Sequence, residues 1–232
     1  MATKKAPDIV YFVKDNAKNE ELKYSLRSLE NFEHGKVWFF GSCPKGLEPD
    51  EFVYVPQRDQ HKWDNTKRSL IAACNNKKLS ANFYLFNDDF FIMKPWEYET
   101  VYNGDLYKLI VHNEDKIQKF SRYTTRLREL AGLLDAQGYE VKNYCVHMPL
   151  LVNKKQALKT IELFPECSMF RSLYGNVNDI GGVNKPDCKI VNLSKVPDAD
   201  AILLSTSDKS FKDGKVGEFI RSKFKEPSRY EK

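Results

Sequence analysis

Short runs of apolar and β-branched residues recur through the first 90 positions: DIVYFV at 8–13, KVWFF at 36–40, FVYV at 52–55 and FYLF at 83–86. Each is long enough for a buried strand and too short for a helix. Between the first two lies NEELKYSLRSLENF, where Leu22, Leu26 and Leu29 repeat at helical spacing behind the first-turn acids Glu20 and Glu21. The Pro- and Gly-bearing stretch GSCPKGLEPD divides the second and third runs. A second helix, over roughly Asn65 to Asn75, turns Leu70, Ile71 and Ala73 inward before FYLF. Unbroken apolar strands alternating with helices predict an α/β fold, a mixed, mostly parallel sheet with helices on both faces.

Beyond Trp96 the pattern is less regular. DLYKLIV (105–111) reads as a strand, and residues 115–137 read as an amphipathic helix with Ile117, Phe120, Leu127, Leu130 and Leu134 on one face and Gly138 past its end. YCVHMPLLVN reads as a strand interrupted by Pro149, and KKQALKTIELF (154–164) as a helix closed by Pro165. SMFRSLYGNVNDIGGVNKPD (168–187) is dense in Gly and Asn without a period, and reads as a long functional loop. A last strand near AILLS (201–205) precedes a basic C-terminal tail from about 206. No linker rich in Pro, Gly or Ser divides the 232 residues, so 1–232 reads as a single domain.

No apolar run approaches the roughly 18 residues of a membrane span, and MATKKAPDIVYFV lacks the pattern of a secretory signal, so a cytoplasmic protein without a membrane span is expected. Five cysteines, odd in number and never in a C-x-x-C pair, argue against structural disulfides and a thiolate zinc site. The net charge of +5 is concentrated: residues 115–130 hold five basic against two acidic side chains, and the segment from Ser205 eight against five. Such excesses suit an anionic partner, although solvated helix faces produce them too.

Within NFYLFNDDFFIMKPW (82–96), Asn87, Asp88 and Asp89 sit between two aromatic-rich runs. Burying an unpaired carboxylate costs several kcal/mol. Two acids at the end of a buried strand raise each other's proton affinity unless a cation intervenes. A divalent Mg²⁺ or Mn²⁺ ion suits that position, since one or two carboxylates commonly hold it while substrate phosphates complete its shell. The competing reading is a turn in which an Asp accepts backbone hydrogen bonds. In sheets of this kind ligands gather at the carboxyl ends of strands, where Asp15, after DIVYFV, and Asp88 and Asp89, after FYLF, are expected to share a cleft. P-loop, dinucleotide-binding, nucleophile-elbow and H-E-x-x-H signatures are absent from the sequence. Phosphate would then be met by side chains, with Lys67 and Arg68 at the opening of the second helix as candidates.

DIVYFVKDNAKNEELKYSLRSLENF followed by FYLFNDDFFIMKP resembles the Stealth proteins, capsular polysaccharide phosphotransferases. VHMPLLVNK (146–154) is similar to their third region, and FRSLYGNVNDI (170–180) to the arginine-bearing segment after it. More broadly the chain resembles nucleotide-diphospho-sugar transferases of the GT-A type, a Rossmann-like fold. Two departures are plain: VKDNA stands where the family reads V-D-G-S-D, and DNTKRSL replaces N-S-N-A-I-E.

The resemblance implies a metal and diphosphate site at Asp88 and Asp89 with Asn87 beside them. It makes His147 a metal ligand or donor-phosphate contact, Arg171 the group that neutralises the leaving diphosphate, and Asp179 the acceptor-side acid. Asp15 would meet the uracil or ribose, and Asn65, Lys67 and Arg68 the rest of the nucleotide sugar. Each has a plainer reading: His147 as a core histidine, Arg171 paired to Glu166, Asp179 capping a turn. Trp63, Trp96 and Tyr174 are candidates to stack on base or sugar. The function expected is metal-dependent transfer of a sugar from a nucleotide-diphosphate sugar, a UDP-sugar first, to a hydroxyl of a glycan or a hydroxymethylated DNA base. Its rivals are a Stealth-type hexose-1-phosphate transfer to polysaccharide and a non-catalytic nucleic-acid or carbohydrate binding module.

Overall fold

The computed structural model describes residues 6–15, 18–58, 62–114 and 121–232. In chain order the first half comprises β1 (Asp8–Val13), α1 (Glu20–Ser28), β2 (Val37–Gly41), β3 (Glu51–Tyr54), α2 (Lys62–Asn75), β4 (Asn82–Phe86) and β5 (Phe90–Ile92). The second comprises β6 (Val101–Tyr102), α3 (Leu106–Asn113), α4 (Arg122–Ala136), β7 (Leu150–Asn153), α5 (Lys154–Leu163), α6 (Phe170–Val177), β8 (Val183–Asn184), β9 (Lys189–Ile190), β10 (Leu203–Thr206), α7 (Asp208–Asp213) and α8 (Lys215–Lys223).

The fold is α/β around a mixed, mostly parallel five-stranded sheet of order β3-β2-β1-β4-β7, in which only β7 runs antiparallel. β1 is apolar on both faces for a reason. Ile9, Tyr11 and Val13 pack with Leu22 and Leu26 of α1, while Val10 packs with Leu70 and Ala73 of α2. The chain runs outward from β1 to β3 and then returns to the other side of β1 as β4. That reversal makes the carboxyl ends of β1 and β4, where Asp15 and Asn87–Asp89 emerge, a switch point of the sheet. A second sheet, β5-β10-β9, packs Phe91 and Leu204 against Phe211, Val216 and Ile220 of α7 and α8.

Several expectations are corrected. DLYKLIV is a helix: the Asp105 side chain caps α3 by accepting from the Lys108 N–H at 2.7 Å, and Leu106 and Ile110, four apart, are buried on one side. The stretch 168–187 holds α6 and β8. Its Gly175 reflects packing, since a Cβ there would lie 2.4 Å from the Tyr144 ring. In YCVHMPLLVN only Leu150–Asn153 is a strand. The helix expected over 115–137 is described from Arg122, capped by Ser121; residues 115–120, with Ile117 and Phe120, lie outside the described residues. The expected tail folds back as α7 and α8. Among the described residues no helix is long and apolar enough to cross a membrane, and all five cysteines are free.

Candidate functional site

The chain leaves β4 at Phe86, turns through Asn87–Asp89 with the Phe90 N–H reaching the Asn87 carbonyl at 3.4 Å, and re-enters the core as β5. The turn sets two half-buried carboxylates at this switch point while Phe86, Phe90 and Phe91 stay buried. Asn87 is exposed at its tip. Asp88 Oδ2 accepts from Asn19 Nδ2 at 2.7 Å, and Asn19 Oδ1 caps α1 by accepting from the Leu22 N–H at 2.9 Å, so the carboxylate is tied to a helix start. Asp89 Oδ2 accepts from Lys189 Nζ at 3.1 Å and from Ser205 Oγ at 3.2 Å, whereas its Oδ1 is buried without a hydrogen-bond partner.

Burial pushes the Asp88 carboxyl up against the opposing pull of the Asn19 hydrogen bond, and the neighbouring Asp89 charge pushes the same way. Glu21 in α1 is raised to about 7. Burial is the largest cause, offset in part by a 2.6 Å hydrogen bond from Thr206 Oγ1, with Asp88, Asp89 and Asp208 adding repulsion. Three carboxyls thus crowd a poorly solvated turn, with Lys189 paired to Asp89 and the Arg171 charge also felt there. A dication fits there in one specific way: Asp88 and the unpartnered Asp89 Oδ1 are the oxygens available, and two carboxylates suffice where substrate phosphates complete the shell. Among the described residues no set of three or more His, Cys, Asp and Glu side chains is arranged to hold a metal.

His147 lies just before β7, whose antiparallel pairing puts Leu150 opposite Leu85 and so brings this loop to the carboxyl end of β4. Its backbone N–H and its Nδ1 both meet Asp187, at 3.1 and 2.7 Å. Burial alone would raise the Asp187 carboxyl, but the hydrogen bonds and charge of His147 bring it below its ordinary value. Nδ1 donates to the carboxylate, which fixes the ring's orientation and leaves Nε2 as the nitrogen not engaged by Asp187. Arg171, in the first turn of α6, donates to the carbonyls of Met148 at 2.7 Å and Leu85 at 3.2 Å and lies over the Phe90 ring, 5.3 Å from its centre. Burial lowers its proton affinity, opposed by Cys145, Asp89, Tyr98 and Asp187. Its direct hydrogen-bond partners are carbonyls, and the pairing with Glu166 does not form.

Other expected residues are not brought to this turn. Asp179 lies two residues past the far end of α6, beyond roughly 9 Å of helix from Arg171. It is exposed at φ 42°, with its N–H on the Asn176 carbonyl and its charge felt at Lys142 and Tyr144. Lys67 and Arg68 do not open α2, which already begins at Lys62. Lys67 Nζ reaches the Pro165 carbonyl; Arg68 holds the Pro56 carbonyl at 3.1 Å and Asn65 Oδ1 at 3.3 Å. Asp15 is exposed at the carboxyl end of β1 and accepts from Ser42 Oγ at 3.3 Å, on the β2 side. Tyr174 is core, its hydroxyl bound to the Asn153 N–H and Gln156, and Trp63 packs against Arg126.

No protein-family model matches the chain. No curated protein matches it either.

Asp187 and Lys189 are the site residues that sequence reasoning missed. The available signal was an acid and a base two positions apart just ahead of and at the start of a short strand. Together the turn, the His147–Asp187 pair, Arg171 and Lys189 bring carboxylates, fixed cations and an oriented imidazole to the switch point of the sheet. Such a set can bind phosphate oxygens and take up a proton.

Proposed function

We propose that the protein is a GT-A-like glycosyltransferase that moves a sugar from a nucleotide-diphosphate sugar, a UDP-sugar first, to a hydroxyl acceptor. The observation that supports this best is the pair Asp88 and Asp89 at the β1/β4 switch point, with one buried oxygen unpartnered and Arg171 beside it. Asp88 and Asp89 would hold the divalent cation, Mn²⁺ or Mg²⁺. When bound, that ion supplies charge neutralisation to the diphosphate leaving group.

The chain's own residues do the rest. Arg171, fixed by two carbonyls, offers a preorganised positive charge where the diphosphate accumulates negative charge. Lys189 neutralises Asp89 and adds a second charge for phosphate oxygens. His147 Nε2, oriented by Asp187, is a better candidate for taking the acceptor hydroxyl's proton than the remote Asp179. The Stealth-type hexose-1-phosphate transfer would use the same groups on a different bond.

Chromatography of the nucleotide product after incubation with a panel of nucleotide sugars, Mn²⁺ and glycan acceptors tests the reading. Nucleoside diphosphate supports glycosyl transfer, nucleoside monophosphate supports sugar-phosphate transfer, and an untouched donor across the panel contradicts both.

A further inference from the structure

A cavity lined by described residues lies away from the acidic turn. It encloses about 600 Å³ at the amino-terminal edge of β1 and β4, within the range of small-ligand sites. β4 itself, roughly 16 Å long, separates the two. The cavity wall carries four rings in mutual contact: Phe32 stacks on Trp96 at 5.2 Å and meets Tyr84 at 4.9 Å, and Tyr98 touches Tyr84 at 5.1 Å and Trp96 at 5.9 Å. Glu33 and Glu97 complete the wall from exposed positions, and among the described residues no Lys or Arg lines it.

The polar groups narrow the choice of ligand. Among the described residues neither Glu33 nor Glu97 is in an ion pair, and neither the Tyr84 hydroxyl nor the Trp96 indole N–H has a hydrogen-bond partner. An anion is disfavoured by two carboxylates without a cation. A purely apolar ligand would leave four polar groups unmatched, and an organic cation would leave the two donors idle. A neutral sugar matches all of them: its hydroxyls donate to carboxylates and accept from O–H and N–H, and its C–H face lies on an aromatic ring.

We infer that this cavity is a saccharide-binding site separate from the reaction centre. As a docking place for part of a glycan acceptor it rests on the transferase reading; as a saccharide site it does not.

Fluorescence titration of the full chain, without nucleotide or metal, with maltotriose, lactose and N,N′,N″-triacetylchitotriose tests the inference. At least one is expected to give a saturable change that weakens tenfold or more in Trp96→Ala and in Glu97→Gln. Glu97 is exposed, so its variant keeps the test valid if Trp96→Ala fails to fold. Absence of saturation with all three sugars, undiminished binding in Glu97→Gln, or a response to tetramethylammonium chloride alone would overturn it. Loss of sugar binding with donor turnover intact removes only this site; loss of donor turnover with sugar binding intact removes only the transferase reading.

Discussion

Glu21 reports the charge crowding at the acidic turn through its own titration. Its carboxyl is raised from an ordinary 4.5 to about 7, chiefly by burial. The unfolded chain releases that proton near 4.5 while the folded chain holds it to about 7, so the folded state binds more protons in between. Stability therefore falls as pH rises through this window and stays lowered above it. Glu21→Gln keeps an oxygen for Thr206 and removes the charge. It should stabilise the protein at pH 8 by on the order of 1 kcal/mol after allowance for solvent screening. Urea denaturation should show that difference gone at pH 4. The acids themselves were legible because polar residues interrupt an apolar run; Asp187 and Lys189 were not, because their role depends on a pairing 40 and 100 residues away in the chain.

At the scale of elements, the carboxyl edge of the sheet depends on a close approach at Gly41. This residue ends β2 at φ 120°, and a Cβ on it would lie 2.2 Å from the Val13 carbonyl oxygen. Gly41→Ala is thus expected to cost about 2–3 kcal/mol through backbone strain and collision, read as a lower urea midpoint. The first four parallel strands and α1 were readable from period and composition because β1, β2 and β4 are buried on both faces and the edge strand β3 keeps an apolar, aromatic run. α3 was misread as a strand since its short apolar run carries no length signal, and only the Asp105 cap distinguishes it. α6 was hidden by glycine and asparagine that serve packing: Gly175 under Tyr144, and Asn176, whose side chain bonds Lys142 and Ser172 carbonyls.

Across the whole molecule, the C-terminal segment closes the fold over the start of the chain. Arg27 of α1, 8% exposed, makes a two-pronged pair with Glu231 at 2.7 Å and donates to the Phe224 and Lys225 carbonyls. Although burial pushes the Glu231 carboxyl up, Arg27, the Ser228 N–H and Lys23 hold it near 2. Arg27→Met leaves that carboxylate without its main partner and should cost about 3 kcal/mol, visible as a lowered melting temperature. Much of the basic excess once read as a tail is engaged in the fold, as in Arg229 on Asp50 and Arg221 on the Phe211 carbonyl.

The central claim is that Asp88 and Asp89 join a dication to a nucleotide diphosphate. Thermal shift of the full chain with UDP and a panel of UDP-sugars, with and without Mn²⁺, tests it most directly, since a ligand that binds only the folded state raises the melting temperature. A Mn²⁺-dependent rise that disappears in Asp89→Asn is expected. An unchanged melting temperature with every nucleotide, or an equal rise in Asp89→Asn, would contradict the account.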